Sequence, residues 1–227
     1  MYFDPMYLVF MAPALLLAFF AQMKVRSAYG TYTKTANSRG LTGLDAARMI
    51  LGPEGLGHVQ IEGIRGELTD HYDPRSKKLG LSAGVAQQPS VAALAIVAHE
   101  IGHALQDNQG YAPLKLRGAI VPAVTVSSWV APLLFFAGLL LGLTELAWVG
   151  VILFGASVLF ALVTLPVEFD ASRRALRLLQ SYNLADGREL QGAKTVLDAA
   201  ALTYVAALAQ TLMTLLYYVS ILGRRRE

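Results

Sequence analysis

The sequence predicts a mainly α-helical membrane protein, with about four transmembrane helices and one small α+β domain in water. Two observations lead to this fold class. Of the 227 residues, 55 % are hydrophobic and only 15 % are charged, whereas a soluble domain carries about 25 % charged residues. The apolar residues also form long runs, and the polar chain between the runs is long enough for one domain. This composition excludes intrinsic disorder and argues against an ordinary soluble enzyme.

Four apolar runs reach the roughly 17 to 25 residues that a helix needs to cross a hydrocarbon core. We expect transmembrane helices at residues 6–23, 119–143, 147–167 and 199–222. The first run is not typical of a signal peptide, because Asp4 stands where a basic region is expected and no cleavage site follows. Residues 142–146 leave room only for a tight turn, so the second and third runs should form an antiparallel hairpin.

The two polar segments, residues 24–118 and 168–198, carry sixteen of the 19 Lys and Arg residues. Basic residues concentrate in cytoplasmic loops, so both segments are expected on the cytoplasmic side of the membrane. The C-terminal Arg224, Arg225 and Arg226 disagree with this orientation, because four spans place them outside. Either that tail is tolerated there or the last segment does not fully cross.

The same composition limits the chemistry. The chain has no cysteine, which excludes disulfides, thiolate metal sites and cysteine nucleophiles, so a metal site must use His, Asp or Glu. The net charge is only +3 and no basic stripe with interleaved aromatics is present, which argues against nucleic-acid binding.

The first polar segment predicts a small α+β domain. Thr42 is typical of the N-cap of a helix at residues 43–51, and Ser90 of the N-cap of a longer helix at residues 91–106. Between these helices, short strands are predicted at residues 59–61, 66–68 and 79–81, with residues 70–74 as a hairpin connection between the last two.

The longer helix contains the motif HExxH, formed by His99, Glu100 and His103. Positions i and i+4 share one face of a helix, so both imidazoles can bind a single Zn²⁺, and Glu100 can act as general base towards the water that the metal activates. Chance placement of the chain's four His residues and its Glu residues gives roughly 0.002 such motifs. The alternative is a buried helix with two incidental histidines, whose polar groups would then need other partners.

A catalytic zinc needs a third protein ligand and an open fourth position. Glu168 is the preferred candidate, since it follows the third span on the expected side of the membrane, in a helix that Pro166 is predicted to start. The alternative for Glu168 is an ordinary acidic residue in the first turn of a helix. Asp170 is its competitor, but fits better as the hydrogen-bonding partner of a ligand histidine. His71 and His58 are the other possible ligands.

Three stretches together resemble the YugP-like family of bacterial membrane zinc metallopeptidases: residues 71–74 (HYDP), residues 90–106 with their HEIGHALQ core, and residues 166–176 (PVEFDASRRAL). The resemblance covers nearly the whole chain, and a more distant one extends to HtpX and the CAAX prenyl proteases. It implies a zincin-like domain, His99, His103 and Glu168 as ligands of one zinc ion, and Glu100 as base. In the HtpX pattern an Asp follows the ligand Glu by four residues, and Ser172 occupies that position here.

A zinc peptidase also needs a donor for the oxyanion of the tetrahedral intermediate. His71 and Tyr72 are the candidates, because a hairpin there could reach both the metal and the substrate. The alternative is a simple turn with His71 exposed. The strand at residues 79–81 is a further candidate, as an edge that pairs with an extended substrate peptide.

Three functions fit these features. The first is a zinc-dependent endopeptidase of a bacterial cytoplasmic membrane, cutting a peptide or membrane-protein substrate on the cytoplasmic side. The second is a site-2-type intramembrane protease, but the apolar run before His99, residues 91–98, is too short to span the bilayer. The third is a non-catalytic membrane scaffold with structural zinc, for which Glu100 would have no purpose. The sequence indicates neither the oligomeric state nor the cleavage specificity.

Overall fold

The computed structural model describes residues 5–224, and within this range the chain forms seven helices and one three-stranded sheet. In chain order the elements are α1 (Pro5–Tyr32), α2 (Gly43–Leu51), β1 (Gln60–Ile64), β2 (His71–Asp73), β3 (Lys78–Ser82), α3 (Ala83–Gln87), α4 (Val91–Asn108), α5 (Ala112–Leu141), α6 (Thr144–Ser181) and α7 (Gly187–Arg224). Two units result. One comprises Met1–Gln22, Lys115–Leu165 and Leu202–Glu227, and the other comprises Met23–Leu114 and Pro166–Ala201.

The first unit is built from the apolar parts of four helices. α1, α5, α6 and α7 are each long and apolar enough to cross a membrane, which confirms the predicted fold class of a mainly α-helical membrane protein. Large apolar side chains on these helices remain exposed, among them Leu140 at 87 % and Trp129 at 81 %. Contiguous exposed apolar surface of this kind suits contact with lipid. Arg225 and Arg226, part of the exception to the predicted orientation, lie outside the described residues.

Glycine allows α5 and α6 to pack closely as the predicted hairpin. A Cβ atom on Gly138 would lie 2.4 Å from the backbone nitrogen of Ala147, and one on Gly150 would lie 2.7 Å from the carbonyl oxygen of Ala131. Small residues at such positions let helix backbones approach one another in membranes. The connection is shorter than predicted, because α5 ends at Leu141 and α6 begins at Thr144.

The second unit encloses α4 in apolar contacts. Its core includes Ile50 of α2, Leu79 of β3, and Leu94 and Ile101 of α4, all almost fully buried. The predicted N-caps are both present. Thr42 and Asp45 form a reciprocal capping box at the start of α2, and the Ser90 side chain accepts a hydrogen bond from the backbone N–H of Ala93 at the start of α4.

The observed hairpin is formed by β2 and β3, not by the predicted pair of strands. The strand predicted at residues 66–68 is wrong, because Gly66 and Leu68 have φ angles of 104° and 55°, which break an extended strand. The chain instead turns after β2, where the Asp73 carboxylate accepts hydrogen bonds from the backbone of Arg75 and the hydroxyl of Ser76. Residues 71–73, predicted as part of the connection, are therefore a strand.

The expected substrate-binding edge at residues 79–81 is also wrong. The strand order is β1-β3-β2, with β1 parallel and β2 antiparallel to β3. β3 is the central strand, paired with β1 along its whole length and with β2 from Lys78 to Gly80, so it is not an edge that a peptide could extend.

Pro166 does not start a helix, contrary to the prediction. α6 continues through it from Thr144 to Ser181. Proline removes one backbone hydrogen bond, which a long helix tolerates when packing supports the turns on either side, and Val167 and Ala171 just beyond it are fully buried. Glu168 therefore lies in the interior of a 38-residue helix, which excludes a first-turn charge as its explanation.

Candidate metal centre

Two histidines of α4 and one glutamate of α6 meet in the second unit. One helical turn separates His99 and His103, whose ring centroids are 4.8 Å apart. The Oε2 atom of Glu168 lies 3.3 Å from Nε2 of His99 and 3.6 Å from Nε2 of His103. Glu168 is 2 % exposed, so its carboxylate is held away from bulk water and facing the two rings.

Close packing of α4 on α6 makes these distances possible. A Cβ atom on Gly102 would lie 2.7 Å from the carbonyl oxygen of Ala171, closer than any side chain allows. Gly102 stands between the two histidines in sequence, and Ala171 is three residues beyond Glu168. The glycine inside the HExxH motif therefore lets the two ligand-bearing helices touch.

The donor set fits zinc. One ligand atom from each of His99, His103 and Glu168 lies within 4.8 Å of the others. Within residues 5–224, these three side chains form a group that could hold a metal ion. Two imidazoles and one carboxylate are ligands that Zn²⁺ accepts, and ligand atoms about 2.1 Å from a tetrahedral ion lie about 3.4 Å from one another. The two nitrogen–oxygen distances of 3.3 and 3.6 Å agree with that spacing.

The other nitrogen of His103 contacts a residue that the sequence interpretation missed. Nδ1 of His103 lies 3.0 Å from Oε1 of Gln106, whose Nε2 donates to the Val167 carbonyl oxygen and to the Asp170 carboxylate. Asp170, predicted as the partner of a ligand histidine, therefore reaches His103 only through Gln106. A signal was present, since Gln106 is a polar residue one turn after His103 on a mostly apolar helix.

Asp170 is held in turn by Arg174. The Nε atom of Arg174 donates to Asp170, and its guanidinium group donates to Oε1 of Gln109 and lies over the ring of Tyr111, 5.8 Å from the centroid. These contacts place the Arg174 cation beside the Asp170 carboxylate and keep that carboxylate oriented towards α4.

The other nitrogen of His99 contacts Ser172. The serine Oγ lies 3.3 Å from Nδ1 of His99. This is the position four residues after Glu168 where the HtpX pattern has an Asp. Ser172 thus supplies a neutral hydroxyl where that pattern would place a carboxylate.

Glu100 lies beside the ligands and is held by β2. The backbone N–H of Tyr72 donates to Oε2 of Glu100 over 2.9 Å. Burial raises the pKa of the Glu100 carboxyl above its usual range, and the neighbouring charges of His99 and His103 oppose that rise. An elevated pKa brings a carboxylate closer to the range of a general base that works near neutral pH.

The Tyr72 side chain is tied to the end of α4. Its hydroxyl donates to Oδ2 of Asp107 over 2.7 Å, and Lys77 pairs with the same carboxylate. Burial, followed by this hydrogen bond, raises the pKa of Tyr72 above its ordinary value. The hydroxyl is therefore engaged with Asp107, whereas the backbone of Tyr72 is the part that reaches the site.

Two predicted histidines remain, His71 of β2 and His58 just before β1. His71 is exposed, and its Nδ1 lies 2.9 Å from the carbonyl oxygen of Thr69. His58 is exposed as well. Among residues 5–224, neither histidine belongs to the group that could hold a metal.

The family assignment follows from comparison with known proteins. A family model described as "Putative neutral zinc metallopeptidase" matches residues 7–223. The chain is also 46 % identical over 214 residues to a Bacillus subtilis (strain 168) protein named "Putative membrane protease YugP", covering 94 % of this chain and 95 % of the relative. No solved structure matches. This confirms the resemblance found in the sequence: the chain belongs to the YugP-like family of membrane zinc metallopeptidases.

Proposed function

We propose that this protein is a membrane-bound, zinc-dependent endopeptidase in which His99, His103 and Glu168 hold one catalytic Zn²⁺ and Glu100 is the general base. The approach of the Glu168 carboxylate to both histidine Nε2 atoms carries the proposal. His99 and Glu168 are 69 positions apart in sequence, and their two ligand atoms lie at a distance that suits a tetrahedral ion. Family membership supports a zinc peptidase independently.

When bound, the zinc ion would polarise the scissile carbonyl and activate a water molecule for attack. Glu100 would take the proton from the attacking water and deliver it to the amine that leaves. The hydrogen bond from the Tyr72 backbone engages Oε2 of Glu100, so Oε1 is the oxygen that we expect to face that water. His99 and His103 would remain neutral, with their Nε2 lone pairs directed at the metal.

His71 is the residue that we propose as donor to the oxyanion. It neighbours Tyr72 on β2, the strand whose backbone contacts Glu100. Tyr72 was the other candidate, but its hydroxyl donates to Asp107. We therefore infer that Tyr72 contributes through its backbone by orienting Glu100.

We place the site on the cytoplasmic side of a bacterial cytoplasmic membrane. The support is the concentration of Lys and Arg in residues 24–118 and 168–198, the segments that carry the ligands. A peptide or membrane-protein substrate and the lipid bilayer itself are the partners that this location implies. Nucleic acid is not among them.

The other two functions considered are less well supported. α4 is not one of the four helices in residues 5–224 that are apolar enough to cross a membrane, which argues against a site-2-type protease. In the same range the metal group has three members, which matches the three protein ligands of catalytic zinc sites rather than the four of structural ones.

The test uses full-length protein purified in detergent. We expect about one zinc per chain and cleavage of an unstructured protein substrate, and Glu100→Gln should keep the zinc but lose cleavage. Glu67→Gln changes an exposed loop carboxylate in the same way and should retain both. Absence of zinc, or full activity in Glu100→Gln, would refute the proposal. Comparing the membrane proteomes of cells that express wild type or Glu100→Gln would then identify substrates that accumulate in the variant.

A further inference from the structure

Gln106 is a fully buried polar side chain, and its contacts determine which way its amide faces. Its exposure is 0 %. The Nε2 amino group lies 2.8 Å from the carbonyl oxygen of Val167 and 3.0 Å from Oδ2 of Asp170. A backbone carbonyl can only accept a hydrogen bond, and so can a carboxylate paired with Arg174. The amino group must therefore face α6, which leaves the amide oxygen facing α4.

This orientation determines where the proton of His103 lies. The amide oxygen of Gln106 is 3.0 Å from Nδ1 of His103. An amide oxygen has no proton to donate, so Nδ1 must carry one. A neutral imidazole has a single N–H, which leaves a lone pair on Nε2, the atom that faces Glu168 at 3.6 Å.

We propose that Gln106 is a positioning residue that holds His103 in the Nδ1–H tautomer and thereby keeps the Nε2 lone pair free for the metal. The inference rests on the zinc site proposed above and adds a residue to it. Without the amide oxygen, His103 could carry its proton on Nε2 and donate it to Glu168. Two ligands would then satisfy each other, and zinc would have to displace that hydrogen bond before it could bind.

The chain of contacts extends from the surface to the ligand. Arg174 holds Asp170, Asp170 holds the amino group of Gln106, and Gln106 holds the ring of His103. A carboxylate in direct contact with the ring would add negative charge and make the imidazole more basic. The neutral amide between Asp170 and His103 selects the tautomer without bringing that charge to the ring.

The experiment measures the tautomer and the zinc affinity separately. ¹⁵N-histidine NMR of metal-free, full-length protein is recorded at alkaline pH, where the imidazoles are neutral. The chain has four histidines, and a His103→Gln sample assigns the His103 signal. Wild type should show Nδ1–H at His103. Gln106→Met, of similar volume but with no hydrogen-bonding amide, should shift His103 to Nε2–H and weaken zinc binding by about 10- to 100-fold.

One further variant and the wild type itself complete the test. Gln191→Met makes the same change at an exposed position on α7 and should leave both readouts as in wild type. The wild-type spectrum keeps the proposal testable even if Gln106→Met does not fold, because an Nε2–H signal at His103 in wild type contradicts it.

The results separate this inference from the proposed function. If wild type binds no zinc, the zinc site itself is refuted. If wild type binds zinc and folded Gln106→Met keeps both the Nδ1–H tautomer and the wild-type affinity, then the zinc site stands and Gln106 only fills space. The shifted tautomer together with the weaker affinity supports the role given to Gln106.

Discussion

Gly102 of α4 touches the backbone of Ala171 of α6, and a Cβ atom on Gly102 would lie 2.7 Å from the Ala171 carbonyl oxygen. The contact sits between the two histidines on one helix and beside Glu168 on the other. The distance between ligands on different helices therefore depends on the absence of a side chain at this one position.

Gly102→Ala should separate α4 from α6 and weaken the metal site. Backbone atoms cannot give way as a flexible side chain can, so the helices must shift and Glu168 must retreat from His99 and His103. We expect at least a tenfold loss of zinc affinity, comparable to loss of a supporting hydrogen bond, measured by competition with a zinc chelator.

Gly84→Ala is the matched control for this change. It adds the same methyl group to a helix of the same unit, where the nearest atom is the Tyr29 hydroxyl at 3.9 Å. Wild-type zinc affinity in Gly102→Ala would show that close packing here is not needed for the site.

Glu168→Gln should remove the third ligand with little change of shape. The amide is a much poorer zinc ligand than a carboxylate, and the substitution also removes a negative charge that balances the ion. Loss of a residue that only supports a ligand weakens metal binding by up to about 100-fold, and loss of the ligand itself should weaken zinc binding by more than that. Zinc content after dialysis against a chelator measures the effect, with exposed Glu67→Gln as control. Stoichiometric zinc in dialysed Glu168→Gln would exclude Glu168 as a ligand.

Zinc affinity should fall as the pH is lowered through neutrality. In the metal-free site, burial is the largest single influence on His103 and lowers its pKa, but the Glu168 carboxylate, the charge of Glu100 and the Gln106 contact together raise the pKa above its usual value. A raised pKa means that the proton is held up to a higher pH, and the proton must leave before Nε2 can bind zinc.

The affinity should therefore increase by up to about tenfold per pH unit below that pKa and level off above it. Competition titrations between about pH 6 and about pH 8, corrected for protonation of the chelator, measure the slope. Uptake of zinc should also release protons into a weakly buffered solution. An affinity that does not change over this range would show that no ligand proton competes with the metal.

His71→Ala should lower turnover without lowering zinc affinity. Loss of one oxyanion donor slows turnover by about 100- to 1,000-fold, and His71 is exposed and outside the metal group, so folding and zinc content should be preserved. Steady-state cleavage of a model protein substrate, with zinc content measured on the same sample, gives both quantities. An unchanged turnover rate would remove His71 from the mechanism.

Tyr72→Phe distinguishes the hydroxyl of Tyr72 from its backbone. The hydroxyl donates to Asp107, so its loss should cost about 1 kcal/mol of unfolding free energy. The backbone N–H that holds Glu100 is kept, so turnover should slow far less than in His71→Ala. If turnover in Tyr72→Phe instead slows as much as loss of an oxyanion donor would cause, about 100-fold or more, the hydroxyl takes part in the reaction.

Local signals in the sequence predicted much of the fold. The capping box at Thr42 and the cap at Ser90 located the starts of α2 and α4, because side-chain capping depends only on neighbouring residues. The strand order was not predictable in this way. β1 and β2 both pair with β3, and these pairings depend on packing between segments distant in sequence. The helix start predicted at Pro166 was wrong for a similar reason, because tertiary contacts support the helix on both sides of the proline and outweigh its preference for a helix N-terminus.

The ionisable members of the candidate site were predictable, whereas its amide and hydroxyl members were not. His99, Glu100 and His103 are recognisable from spacing alone, and Glu168 from its place after the third span. Ser172 gave no such signal, and Gln106 gave only its polarity one turn after His103, because an uncharged side chain acquires its role from the ring nitrogen that the fold places opposite it.

X-ray absorption at the zinc edge of Glu100→Gln protein tests the proposed metal site most directly, because this variant should hold the metal without turning over substrate. We predict one zinc per chain, with two imidazole nitrogens and oxygen ligands at about 2.0 to 2.2 Å, and loss of one oxygen ligand or of the zinc itself when Glu168→Gln is added. Substoichiometric zinc, or a spectrum with fewer than two imidazoles, would contradict the proposed site.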